Sequence, residues 1–444
     1  MPSTNPTQRQ WPRGRFNELH QAAVQGSMQG TIALLSTGSI NIDQGDPTGI
    51  TPLMFAAEMG HSRVARVLLN RGADLSIAED EGFSALHISA QEGHLAVTVD
   101  LVTAGADLEA RANDGTTPLH LAADGGRSQV MAALVEAGSK VDSRCWDGTT
   151  PLYLAAGEGH VGIVKELLRA KANPQLGRMT SNRESAVPLD AAVEGNHSHM
   201  VRELIKQCGI KGCTGASGGL TALRTAAQRG FVSIMSLLTD AGVVDTGLGL
   251  VFAAGWGGET PVKWLLQQRQ LAGPPTAFAG YANSCDHFGC TALFRSIDFC
   301  IDAEGTTKLI SPRVVRLLID AGADTTSAFR QTNEVGIAQN LDTPLAFISE
   351  RLLKKKIREL NATEEQLRGL EAVRRLLLQV EAVHAVSWLW RSDLPSIAQA
   401  ARDRSKTTPT TPANSAQLTL MLPILRRRRR GALLSPLLRY SSYP

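Results

Sequence analysis

The stretch Thr117-Pro118-Leu119-His120-Leu121-Ala122-Ala123, followed by Gly125-Gly126, constrains the fold of this chain more than any other. A Thr can cap a helix and a Pro fits its first turn. Small and apolar residues then follow at helical spacing, so the stretch reads as a helix start. Its weight comes from recurrence. The positions equivalent to Thr117 are Asn17, Thr51, Ser84, Thr150, Val187, Thr221, Leu248, Thr291 and Thr343, at successive spacings of 34, 33, 33, 33, 37, 34, 27, 43 and 52 residues. A period in that range signals stacked repeats rather than separate globular domains.

Numbering each unit from its Thr117 equivalent exposes two features with separate causes. Position +5 is small: Ala22, Ala56, Ser89, Ala122, Ala155, Ala192, Ala226 and Ala253. Small residues there let a neighbouring first helix approach closely. Position +17 is leucine in eight successive units: Leu34, Leu68, Leu101, Leu134, Leu167, Leu204, Leu238 and Leu265. These leucines belong to a second helix, such as the one in Val161–Leu168, and supply a shared core. Glycine at +9 (Gly26, Gly60, Gly93, Gly126, Gly159, Gly230, Gly257) turns the chain between the two helices. Glycine at +21 (Gly72, Gly105, Gly138, Gly242) ends the second helix. Turn residues such as Asn113-Asp114-Gly115 and Trp146-Asp147-Gly148 precede the next unit. Each unit therefore reads as helix, turn, helix and β-turn finger, and none can bury its apolar face alone.

On the T-P-L-H-x-A motif and its period, the sequence resembles the ankyrin-repeat family over residues 15–325. That resemblance implies an all-α ankyrin-repeat solenoid of about nine to ten repeats. Residues 1–14 are read as a disordered N-terminal segment. Residues 326–390, including the face formed by Leu367, Leu370, Val373, Leu377, Val380 and His384, form a divergent last repeat or helical cap, and 391–444 a disordered basic tail. The segment from Thr363 opens with a capping box, Thr363-Glu364-Glu365-Gln366. Regularity is best from Thr51 to Lys171. Asn173–Glu184 is a polar insertion, Gln267–Cys285 a loop in place of a finger, and Asp302–Ser311 a lengthened turn.

Six scattered cysteines form no disulfide framework and favour a reducing compartment, and the polar N-terminus shows no signal peptide. A cytoplasmic protein is expected, with the nucleus as the alternative. Net charge is +3, but residues 391–444 carry ten Lys and Arg against two Asp, leaving a mildly acidic body.

The residues that suggest chemistry fit architecture better. His87 and His120 sit in the motif without a nucleophile or acid at catalytic spacing, and His61, His94 and His160 follow the +9 glycine, where a second helix starts. Cys208/Cys213 and Cys285/Cys290, with His287, suggest zinc by spacing but lie in different units. No phosphate loop, serine elbow or kinase signature is present, so no metal, cofactor, catalytic residue or small-molecule substrate is expected.

Recognition remains. In the resembled family the partner surface is the concave side, made of finger tips and the exposed ends of the first helices. Carried over by offset, it comprises Glu58, Met59, Gln91, Glu92 and Glu158 on first helices. On fingers it comprises Asp80, Glu81, Phe83, Asn113, Asp114, Trp146, Asp147 and Phe288, with Arg111 and Arg144 beside them. An exposed aromatic is where interface energy concentrates, which puts Trp146 first. A monomeric scaffold binding a partner protein is expected. The alternatives are an adaptor that presents a substrate to an enzyme complex such as a ubiquitin ligase, and a nucleic-acid or membrane-surface binder using Arg426, Arg427, Arg428, Arg429 and Arg430.

Overall fold

A computed structural model describes residues 17–179, 185–214, 219–256, 258–272, 280–286, 289–297, 311–325, 330–332, 338–340, 345 and 364–391. The regular part is a run of paired helices. They are α1 (Glu18–Val24) and α2 (Met28–Ser36), α3 (Pro52–Glu58) and α4 (Ser62–Asn70), and α5 (Ala85–Glu92) and α6 (Leu95–Thr103). Next come α7 (Pro118–Asp124) and α8 (Ser128–Glu136), and α9 (Pro151–Gly157) and α10 (Val161–Arg169). A two-stranded hairpin, β1 (Arg178–Met179) with β2 (Ser185–Ala186), precedes α11 (Pro188–Glu194) and α12 (Ser198–Cys208). Further helices span Leu220–Arg229, Val232–Asp240, Leu248–Gly255, Glu259–Ala272, Ala292–Ile297 and Pro312–Asp320. First helices pack on first helices in sequence order, and second helices on second helices. This is the nearest-neighbour stacking of an all-α repeat solenoid.

Sequence offsets translate into burial. All eight +5 residues are buried, Ala22 at 6% exposure and Ser89 at 0%, for example. Seven of the eight +17 leucines are buried at 2% exposure or less. Leu34 is only half-buried; among the described residues its second helix packs on that of the following unit. Truncating a fully enclosed leucine such as Leu134 to alanine costs about 2–5 kcal/mol.

Why the first helices start where they do is visible at Thr117. The motif histidine folds back, so that His120 Nδ1 accepts from the Thr117 N–H at 3.2 Å and faces its hydroxyl at 2.8 Å. The other ring nitrogen, Nε2, lies 3.1 Å from the Thr149 carbonyl on the next finger and donates to it. Ser84, His87 and Thr116 repeat the arrangement one unit earlier. These buried histidines are therefore neutral, and burial pushes His120 down to about 4. Each one ties its helix start to the following unit.

The histidines after the +9 glycine do something the sequence did not foretell. They occupy the cap positions of second helices but make no side-chain capping bond there. Instead, Nε2 of His61, His94 and His160 donates to the carbonyls of Val24, Glu58 and Asp124, at 3.0, 2.9 and 2.9 Å. Arg127 does the same to Gln91 with its Nε, at 2.9 Å. Each bond reaches back to the last turn of the preceding first helix and satisfies an orphan carbonyl. Gly126 shows the constraint this imposes: its φ is +72°, and a Cβ there would meet His160 Cε1 at 2.8 Å.

Two units reach the same left-handed backbone without glycine. Lys171, at +21, has φ +67°, and Asn196, at +9, has φ +59°. They flank the place where regularity falters. There the polar insertion is partly a hairpin, in which Arg178 faces Ala186 and Met179 faces Ser185. The loop expected over Gln267–Cys285 is helical through Ala272, since Lys263 to Leu271 are helix formers ahead of the first Gly-Pro break. Of the expected helical cap, an antiparallel hairpin pairing Arg330–Thr332 with Ala338–Asn340, Leu345 and a helix over Glu364–Arg391 are described, and Val373 and Leu377 on that helix are fully buried. Leu367, Leu370 and His384 lie on the same helix, but their side chains fall outside the described residues, as do Phe288, His287, Gly257 and Arg426–Arg430.

Candidate protein-recognition surface

The fingers form one hydrogen-bonded row. Asp80 N–H donates to the Thr48 carbonyl at 3.1 Å, Asn113 N–H to Glu81 at 3.0 Å, Trp146 N–H to Asp114 at 3.1 Å, and Met179 N–H to Asp147 at 2.9 Å. Carboxylates cap these turns, Glu79 accepting from the Glu81 and Phe83 N–H groups at 3.0 and 3.1 Å. Asp114 accepts from the Thr116 N–H at 2.8 Å and Asp147 from the Thr149 N–H at 2.9 Å. Partial burial works to raise the Asp147 carboxyl. The Thr149 hydroxyl and N–H, helped by Arg178, outweigh it and hold the group below the usual carboxylate range.

Trp146 is both packed and presented. Its indole lies down on the preceding finger, with Nε1–H donating to the Asn113 carbonyl at 2.9 Å and the ring resting on Gly115. The Arg111 guanidinium stands 5.1 Å from the ring centroid, and its Nη1 donates to the Gly115 and Arg144 carbonyls at 3.1 and 2.7 Å. Held this way, Trp146 still leaves 67% of its surface exposed. The neighbouring finger adds Met179, 56% exposed, and Arg178, whose Nε pairs with Asp147 Oδ2 at 3.1 Å.

The other expected surface residues divide. Asp80, Glu81, Gln91, Arg111, Asn113, Asp114, Arg144, Asp147 and Glu158 are exposed on fingers and first-helix ends. Glu58, Met59 and Glu92 are half-buried. Phe83 is half-buried as well, with its ring centroid 5.7 Å from that of His87, so it is finger packing rather than a presented aromatic. Four residues of this surface went unforeseen. Glu194 lies at +7 of its unit, where extending the offset past the insertion finds it; Arg178 and Met179 lie inside the insertion, and Tyr153 replaces the motif histidine.

A cavity of about 220 Å³ opens between α9, α11 and the hairpin, lined by Tyr153, Gly157, Glu158, Arg178, Ala191 and Glu194. Burial pushes the Tyr153 phenol up to about 12, with Glu194 adding to the shift. Among the described residues no group of three or more His, Cys, Asp or Glu is placed to hold a metal ion, and Cys145, Cys208, Cys213, Cys285 and Cys290 are free thiols. No described helix is long and apolar enough to cross a membrane.

Stacked helix pairs, T-P-L-H starts and a bonded finger row define an ankyrin-type repeat array, and the family model for ankyrin repeats matches residues 19–112 and 86–178. Residues 19–178 thus carry ankyrin repeats. Similar curated proteins include the Ankyrin repeat, SAM and basic leucine zipper domain-containing protein 1 of Echinops telfairi, 36% identical over 70 residues, and that of Callithrix jacchus, 38% identical over 61 residues. Protein phosphatase 1 regulatory subunit 27 of Mus musculus is 38% identical over 63 residues. The matches span 16%, 14% and 14% of this chain and 15%, 13% and 40% of those relatives, so the likeness is one of repeats.

Proposed function

We propose that this protein is a non-catalytic scaffold that binds a partner protein through its finger row and the adjoining ends of its first helices. Ankyrin repeats are a protein-interaction module, and one observation carries the assignment to this face. Trp146 is a large aromatic held rigid by Asn113 and Arg111 while two-thirds of it faces solvent. An aromatic fixed before binding loses little conformational freedom on association, and such residues dominate interface energies. The exposed Asp114, Asp147, Arg111 and Arg144 around it supply the polar rim.

The test is capture of partners from the native source by the tagged full-length chain, with Trp146→Ala in parallel. Retention of the principal partner is expected to weaken about tenfold or more. Undiminished capture by the variant, with its helical content intact, would overturn the assignment.

A second reading is favoured by the relative named a phosphatase regulatory subunit: the captured partner is an enzyme, and this chain presents substrates to it. Co-purification with a phosphatase or ligase core separates the two. The helix at Glu364–Arg391 is proposed as the cap of the stack, supported by the burial of Val373 and Leu377. A cytoplasmic monomer, with import or anionic contacts through Arg426–Arg430, completes the proposal.

A further inference from the structure

Tyr153 breaks the pattern of its own position. In the two preceding units the +3 residue is a histidine that donates to the next finger, His87 to Thr116 and His120 to Thr149. Tyr153 keeps the helix-start role, its N–H donating to Thr150 Oγ1 at 3.2 Å, but among the described residues its hydroxyl has no hydrogen-bond partner. The side chain is only 8% exposed, and it lines the cavity between α9, α11 and the hairpin. The ring is thus enclosed while the hydroxyl keeps its hydrogen-bonding capacity at the cavity.

The walls of the cavity carry charge. Glu158 and Glu194 line it from equivalent ends of successive first helices, and neither makes an ion pair among the described residues. Arg178, the cation of the lining, is already engaged with Asp147. The floor between the carboxylates is made of Gly157 and Ala191, which leave room for an aliphatic stem. At about 220 Å³ the space is smaller than the ~300–1,000 Å³ of small-molecule sites and suits a single side chain. Trp146 and Met179, both exposed apolar side chains, stand on the adjoining fingers.

We propose that this cavity receives an arginine side chain of the partner protein, its stem lying over Gly157 and Ala191, its guanidinium between Glu158 and Glu194, and one N–H donated to the Tyr153 hydroxyl oxygen. Guanidinium fits better than ammonium because its planar fork can serve two carboxylates and a third acceptor at once. The inference rests on the finger-and-helix reading above and adds the chemistry of the partner: an arginine beside an apolar residue that covers Trp146.

The test uses the full-length chain carrying ¹³C-methyl alanine and ¹³C-labelled tyrosine. It is titrated with N-acetylarginine methylamide, and in parallel with the lysine and norleucine analogues. The expected result is a saturable shift of the Ala191 methyl and Tyr153 ring signals with the arginine probe, a weaker one with lysine and none with norleucine. The exposed substitutions Glu158→Gln and Glu194→Gln together should weaken arginine binding about fivefold, the scale of two screened ion pairs. Tyr153→Phe, which keeps the ring, should weaken it further. No saturable shift, an equal response to norleucine, or unchanged binding in the double variant would overturn the proposal. If the probe fails while Trp146→Ala still releases the partner, the groove assignment falls and the scaffold reading stands. If the probe binds while Trp146→Ala retains the partner, the reverse holds.

Discussion

Gly126 and His160 offer a sharp test of how the units are joined. Substituting Gly126→Ala places a side chain at φ +72°, and the left-handed backbone costs about 1 kcal/mol for a residue with a Cβ. The new methyl would also sit 2.8 Å from His160 Cε1, so the ring must move away from the Asp124 carbonyl that it now bonds at 2.9 Å. Losing that bond costs about 1 kcal/mol more, for a total near 2 kcal/mol. The variant His160→Ala should cost about 1 kcal/mol alone. In the double variant the methyl meets no ring, so Gly126→Ala should then cost only its backbone part of about 1 kcal/mol. Urea denaturation of the four proteins gives the coupling energy, expected at about 1 kcal/mol. Strict additivity would refute the claim that the glycine is required by the histidine above it.

Other consequences can be measured just as directly. His120 is held neutral, so its folded value of about 4 lies below its ordinary 6.5. Its contribution is complete above about pH 6.5 and is lost as pH falls toward 4, by up to about 3 kcal/mol; His120→Gln should flatten that part of the stability–pH curve, and an unchanged curve would exclude the assignment. Lys171→Gly removes a left-handed backbone penalty and should stabilise by about 0.5–1 kcal/mol after the added unfolded-chain entropy, raising the thermal midpoint. A lowered midpoint would show that the lysine side chain does something its exposure does not reveal. Native-state alkylation followed by peptide mapping should modify exposed Cys285 well before Cys213, which is buried and whose thiol burial pushes up to about 12; equal rates would contradict the packing.

What was legible in the sequence follows the physics that selects residue types. Close approach of first helices admits only alanine or serine at Ala122 and its equivalents, and enclosed second helices select leucine at Leu134 and its equivalents, so both rows show without a structure. The hydrogen-bond ladder was not legible. His160 pairs with the carbonyl of Asp124, 36 residues back, and a backbone carbonyl leaves no mark on the residue that carries it. Trp146 stands out in the sequence as a finger aromatic, and in the structure it is both packed on a finger and exposed, because an indole can bond through its edge while exposing its face. Phe83 looked equivalent by offset and is not, since His87 lies close enough to hold it. Tyr153 differed from its equivalents by a single letter, and only the geometry shows that its hydroxyl lost the carbonyl that the histidines use.

The central claim is that the finger row and first-helix ends form the binding face. It is tested most directly by zero-length carboxyl–amine crosslinking of the full-length chain with its captured partner, read by mass spectrometry. Crosslinks from Asp80, Glu81, Asp114, Asp147, Glu158 and Glu194, diminished in Trp146→Ala, are the result expected. Crosslinks confined to second-helix carboxylates such as Glu136, Glu166 and Asp240, unaffected by Trp146→Ala, would contradict it.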